Sequence, residues 1–125
     1  MTETQIKESY NTAENYPDLA RRLIAAGIES YTVDVSSGIT IYRVAGGITH
    51  IHILMSEPRA IEKLFSKDLT IQAIRDNQEG KTDYEGFIKG IAAAGVRFYD
   101  AILNGDNKRC IYMGIGGYYE EQIPV

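Results

Sequence analysis

The chain has two histidines, His50 and His52, and they stand two residues apart in the segment ITHIHILM. On a strand this spacing sets both imidazoles on one face, and neutral imidazole is a common metal ligand. A zinc site needs three or four ligands. The third would come from Asp34, Glu57, Cys110 or a partner chain. The plainer reading, which the pattern favours, puts the pair on a solvated strand face opposite a buried Ile51, Ile53 and Met55.

Cys110 is the one thiol, so no internal disulfide forms. A nucleophilic thiol needs a lowered pKa and a nearby base. Cys110 instead adjoins Ile111 and Tyr112 in a strand pattern, where thiols are mostly packed and inert. Asp34 and Asp100 fall one position out of register between the two halves of the chain and do not make a symmetric acid pair. Glu120 and Glu121 read as exposed charges near the C-terminal end. GIGG from Gly114 lacks the strand-then-helix setting of a phosphate loop and reads as a turn. Nine tyrosines and no tryptophan make a skewed aromatic set. Tyr31, Tyr42, Tyr99 and Tyr112 either complete a sheet core or supply a ligand pocket or interface, since tyrosine pairs an apolar ring with a polar tip. On an uncovered sheet face, those rings with Phe98 and Ile102 would form a dimer surface or partner site.

These groups need elements to hold them. The sequence says nearly the same thing twice: LIAAGIESYTVDV from Leu23 and IAAAGVRFYDAIL from Ile91 align at an offset of 68. Asn15 and Asp83 are helix N-caps by type and place, with Pro17 fitting the first turn. Gly27 and Gly95 stop the helices, because glycine takes the left-handed conformation without a Cβ clash. The period then switches from helical to two, as in Tyr31, Val33 and Val35. A turn, a second strand (ITIYRV or RCIYMG) and a Gly-Gly follow. The half-repeats run over about 16–47 and 84–117, with a helical connector over about 57–80. In that connector SEPRAIEKLF reads as a helix capped by Ser56 or Glu57, with Ile61, Leu64 and Phe65 buried. DLTIQAIRDNQEG reads as a second helix capped by Asp68 and stopped at Gly80. Further strands are expected at ITHIHILM and YYEEQIPV, and a marginal helix around Ile6 and Tyr10. The fold class is α+β: one domain, a two-layer α/β sandwich built by internal duplication of an αββ unit around a shared antiparallel sheet.

At 125 residues, 44% hydrophobic and 24% charged, the chain has the profile of a soluble globular domain. A net charge of −4 with scattered basic residues argues against nucleic acid and anionic membrane surfaces. The N-terminal stretch lacks the pattern of a cleaved signal, and no apolar run is long enough to span a bilayer. A reducing, cytoplasmic setting is expected.

The stretch NQEGKTDYEGFIKGIAAAGVRFYD, then CIYMG and EEQIP, resembles the YbcV/YdfO-like family. Its members are small bacterial proteins often carried on prophages and classed as domain of unknown function 1398; some are labelled phage envelope protein. The marks are Gln78, Gly80, Asp83, Tyr84 and Phe87, then Ala93-Ala94-Gly95, Tyr112 and Ile123-Pro124. The family pattern often has a cysteine just after the phenylalanine, where this chain has Ile88. The resemblance implies a compact α/β fold and no particular activity. The reading that results is a non-catalytic binding or interaction module without a cofactor, engaging a second copy, another protein or a small ligand. The alternatives are a metal-dependent enzyme using His50 and His52, and a phage structural or envelope-associated protein.

Overall fold

The computed structural model describes residues 3–53 and 58–123, with the side chains of Glu3, Ala45, His52 and Ile53 outside that description. Helix α1 (Glu3–Thr12) docks through Ile6, which is fully buried. Helix α2 (Tyr16–Ala25) starts at Asn15, whose side chain accepts from the Asp18 N–H, and carries Pro17 in its first turn. Helix α4 (Tyr84–Ala93) starts in the same way at Asp83, which accepts from the Gly86 N–H. Both helices give way to Gly27 and Gly95, with φ of 93° and 84°. Each is then followed by three antiparallel strands. After α2 come β1 (Ile28–Asp34), β2 (Ile39–Val44) and β3 (Thr49–Ile53); after α4 come β4 (Val96–Ile102), β5 (Arg109–Gly114) and β6 (Gly117–Gln122).

All six strands form one antiparallel sheet in the order β3-β2-β1-β4-β5-β6. The architecture is α+β, with the core lying between the helices and one face of the sheet. Leu19 and Leu23 of α2 and Phe87 and Ile91 of α4 meet Tyr31, Val33, Tyr99 and Ala101 there. Among the described residues, no helix is long and apolar enough to cross a membrane.

The connector departs from expectation. Helix α3 (Lys67–Gln78) is capped by Ser66, whose hydroxyl accepts from the Leu69 N–H; Asp68 lies in the first turn, where its charge suits the helix dipole. The expected helix over SEPRAIEKLF is not present in its described part: residues 58–66 carry no helix. The expected caps Ser56 and Glu57 lie outside the described residues. The reason is where the backbone N–H groups go. Arg59 N–H donates to Ser36 O (2.7 Å), Glu62 N–H to Ala92 O (3.0 Å), Phe65 N–H to Ile115 O (2.9 Å) and Ser66 N–H to Ala94 O (2.7 Å). N–H groups engaged by a turn, a helix end and a hairpin loop are not available for the i−4 bonds that a helix would need. Residues 58–66 are therefore a strap, and Leu64 is exposed rather than buried.

Candidate functional site

Strand pairing decides which side chains share a face, because directly opposed residues point the same way. Tyr31 opposes Tyr42, Tyr31 opposes Ala101, and Tyr99 opposes Tyr112. All four tyrosines therefore face the helices, and all are at most 2% exposed. Of the two readings open for Tyr31, Tyr42, Tyr99 and Tyr112, the structure shows the core. They do not line the uncovered face, because the odd-even register sends their rings under α1, α2 and α4.

Their hydroxyls are paired in the interior. The Tyr16 hydroxyl meets the Tyr31 hydroxyl and lies 3.0 Å from Cys110 Sγ. The Tyr42 hydroxyl donates to the Tyr10 hydroxyl at 2.6 Å, and the hydroxyls of Tyr84 and Tyr99 are hydrogen-bonded to each other at 3.2 Å. Phe87 packs edge-on against Tyr99 and Tyr112. Burial raises the pKa of Tyr10, Tyr16, Tyr31, Tyr99 and Tyr112 well above the usual phenol value, so these rings stay neutral. Such a network satisfies polar tips inside an apolar layer. It supplies no base.

Cys110 is 2% exposed, and burial pushes its thiol up to about 12, against the direction a nucleophile needs. It lies on β5, and the histidines lie on β3, four strands away. At ~4.8 Å per strand that is ~19 Å, which separates Cys110 from His50 and His52 as either a base pair or a shared metal site. Asp34 projects from the face opposite His50, since His50 opposes the inward Tyr42 and Asp34 alternates with the inward Val33. Glu57 lies outside the described residues. Among the described residues, no cluster of three or more histidine, cysteine, aspartate or glutamate side chains is placed to hold a metal ion.

The face assignment of β3 is the reverse of the expected one. His50 is half-buried on the helix side, at the margin beyond Tyr42, while Ile51 is 63% exposed. Alternation placed the histidines and isoleucines on opposite faces; which face the helices would cover depends on distant elements.

Besides this covered face, the described residues form a cleft at the helix ends and a broad surface. The cleft, about 200 Å³, lies where α1 ends and α2 and α4 begin, and is lined by Tyr10, Asn15, Tyr16, Asn77, Asp83 and Tyr84 among others. The Asn77 amide is occupied on both sides: it accepts from the Tyr16 N–H at 2.9 Å and donates to Thr82 O at 3.0 Å.

The broad surface is the uncovered face of the sheet. One row of it runs from Ile51 through Ile41, Thr32, Asp100 and Ile111 to Glu120, each opposed to the next. A second row joins Phe98, Met113 and Tyr118. Ile39 and Ile102 extend the apolar area on β2 and β4. Phe98 is 43% exposed and Tyr118 67%. The polar members of this face are paired within it. Thr32 donates to Asp100 (2.5 Å), Arg43 donates to Thr32 (3.0 Å), and Arg109 bridges Glu120 (3.4 Å). Sequence reading found Phe98 and Ile102 but not Ile39, Ile41, Ile51, Ile111, Met113 and Tyr118. The signal was present: ITIYRV and RCIYMG are apolar at odd and even positions alike, the mark of a strand with two buried faces.

A one-layer-covered antiparallel sheet with an aromatic, hydrogen-bonded core and an apolar outer face defines a small α+β domain. The family model for proteins of unknown function DUF1398 matches residues 4–119, and the chain belongs to that family. No curated protein matches the chain.

Proposed function

We propose that the protein is a non-catalytic interaction module that works in the reducing cytoplasm of a bacterial host and docks its partner on the uncovered face of the sheet. The observation that carries this is the exposure of large apolar side chains on both flanks of that face, Ile39 and Ile51 on β2 and β3 and Phe98 and Tyr118 on β4 and β6, either side of the polar outward residues of β1. Contiguous apolar patches above a few hundred Å² mark binding surfaces. The two successions α2-β1-β2-β3 and α4-β4-β5-β6, meeting at the β1–β4 pair, support an internally duplicated unit that includes a third strand in each copy.

The test is photocrosslinking in cells with benzoylphenylalanine placed at Ile51, at Phe98 and, as control, at Lys89 on α4. Adducts from the first two positions and none from Lys89 are expected. Adducts from none of the three would remove the docking reading. A zinc- or nickel-dependent rise in melting temperature that disappears in the His50→Ala, His52→Ala double variant would put the metal reading in its place.

A further inference from the structure

We infer that the partner on the uncovered sheet face is a second copy of this chain, stacked face to face; the inference rests on the docking reading above. Size argues for it first. Six strands at ~4.8 Å and about six residues at ~3.3 Å give a face of roughly 600 Å². Two such faces bury about 1,200 Å² or more, the lower edge of the range for specific stable interfaces. Shape argues next. A single docking helix is ~10 Å across and would leave most of a face ~29 Å wide in water. A second sheet of the same width covers it all, at the ~10 Å spacing of stacked sheets.

Charge argues third. The face carries Arg43 and Arg109 beside Asp34, Asp100 and Glu120, so it is close to neutral although the chain carries a net −4. A like copy is therefore not repelled, as it would be by a face of one sign. Pairing of Arg43 with Thr32, Thr32 with Asp100, and Arg109 with Glu120 also leaves few polar groups to be stranded when water leaves. A closed dimer uses the same patch on both subunits, and a patch that mixes apolar side chains with internally paired charges of both signs can meet itself.

The experiment is sedimentation velocity with light scattering on the purified full chain across the micromolar range. The wild type is expected at twice the chain mass. Phe98→Glu and Tyr118→Glu are each expected to weaken the dimer about a hundred-fold, the effect of losing a buried aromatic anchor. Lys89→Glu on α4 is expected to leave it unchanged. Tyr118 is mostly exposed in the monomer, so its variant folds even if Phe98→Glu does not. A strict monomer, or a dimer that both face variants leave intact, overturns the inference. A monomer whose Ile51 and Phe98 positions crosslink to another protein in cells overturns the second copy alone; a monomer with no adducts removes the docking reading with it.

Discussion

Gly27 and Gly95 end equivalent helices with almost the same backbone, φ of 93° and 84°, yet their surroundings differ. A Cβ added at Gly27 meets nothing within 4 Å. A Cβ added at Gly95 falls well inside contact distance of the Leu64 carbonyl and 2.8 Å from Phe65 Cα, which are backbone atoms of the strap. Replacing each by alanine therefore separates two effects. Gly27→Ala bears only the left-handed conformation of an L-residue, about 1 kcal/mol. Gly95→Ala bears the same and must also push the strap away. The bonds at risk run from Phe65 N–H to Ile115 O and from Ser66 N–H to Ala94 O. At about 1 kcal/mol net for each of those two, the total for Gly95→Ala is about 3 kcal/mol.

Urea unfolding followed by tyrosine fluorescence and far-ultraviolet circular dichroism reads both numbers. At about 4 °C per kcal/mol for a domain of this size, the melting temperature should fall by about 4 °C for Gly27→Ala and about 12 °C for Gly95→Ala. Gly95→Ala should also lower the urea m-value, because its folded state already exposes the strap. Equal losses at the two glycines would refute the reasoning, since the strap would then contribute nothing at that contact.

Two further outcomes follow from the buried groups. Cys110, with its thiol pushed up to about 12, should resist an aromatic disulfide reagent at pH 8 and react only as fast as the domain opens, which stopped assays with and without urea will show. Glu121 is pulled upward by burial, but hydrogen bonds from Arg75 and Tyr119 outweigh this and hold its carboxyl below the usual 4.5. Its stabilising effect is full above that ordinary value and is lost as pH falls through the depressed one, so Glu121→Gln should flatten the stability curve below about pH 4.5. The change should stay under about 1 kcal/mol, because the Arg75 side chain is 43% exposed and solvent screens the pair.

Local chemistry carried most of the fold in legible form. Asn15 and Asp83 cap, Gly27 and Gly95 stop, and the alternation after each glycine is a strand. The strap was illegible for a definite reason. Ile61, Leu64 and Phe65 have helical spacing, but spacing does not reveal that Ala92, Ala94 and Ile115, distant in sequence, accept the backbone bonds. The glycines hold the missing clue. Gly95, Gly114 and Gly117 lack side chains where Leu64 and Phe65 lie against them. Read as helix stop and turn, they gave no hint of a segment arriving from elsewhere. The histidine pair failed in a related way: a period of two divides residues between faces without naming the face that is covered.

The same ambiguity explains why the outer face escaped notice and why it matters. An antiparallel sheet with helices on one side and water on the other needs apolar residues at alternate positions only. In β2 and β5 the alternate set is already filled by Tyr42, Cys110 and Tyr112, which complete the core. Ile41, Ile111 and Met113 then add a second apolar set that the helices never touch. Core packing gives no reason for isoleucine at those places, where threonine or lysine would serve a solvated strand. Strands apolar at both parities belong to sheets buried on both sides, and here the helices bury one side. Under the proposed docking, the outward residues of β2 and β5 are the ones a second layer would cover.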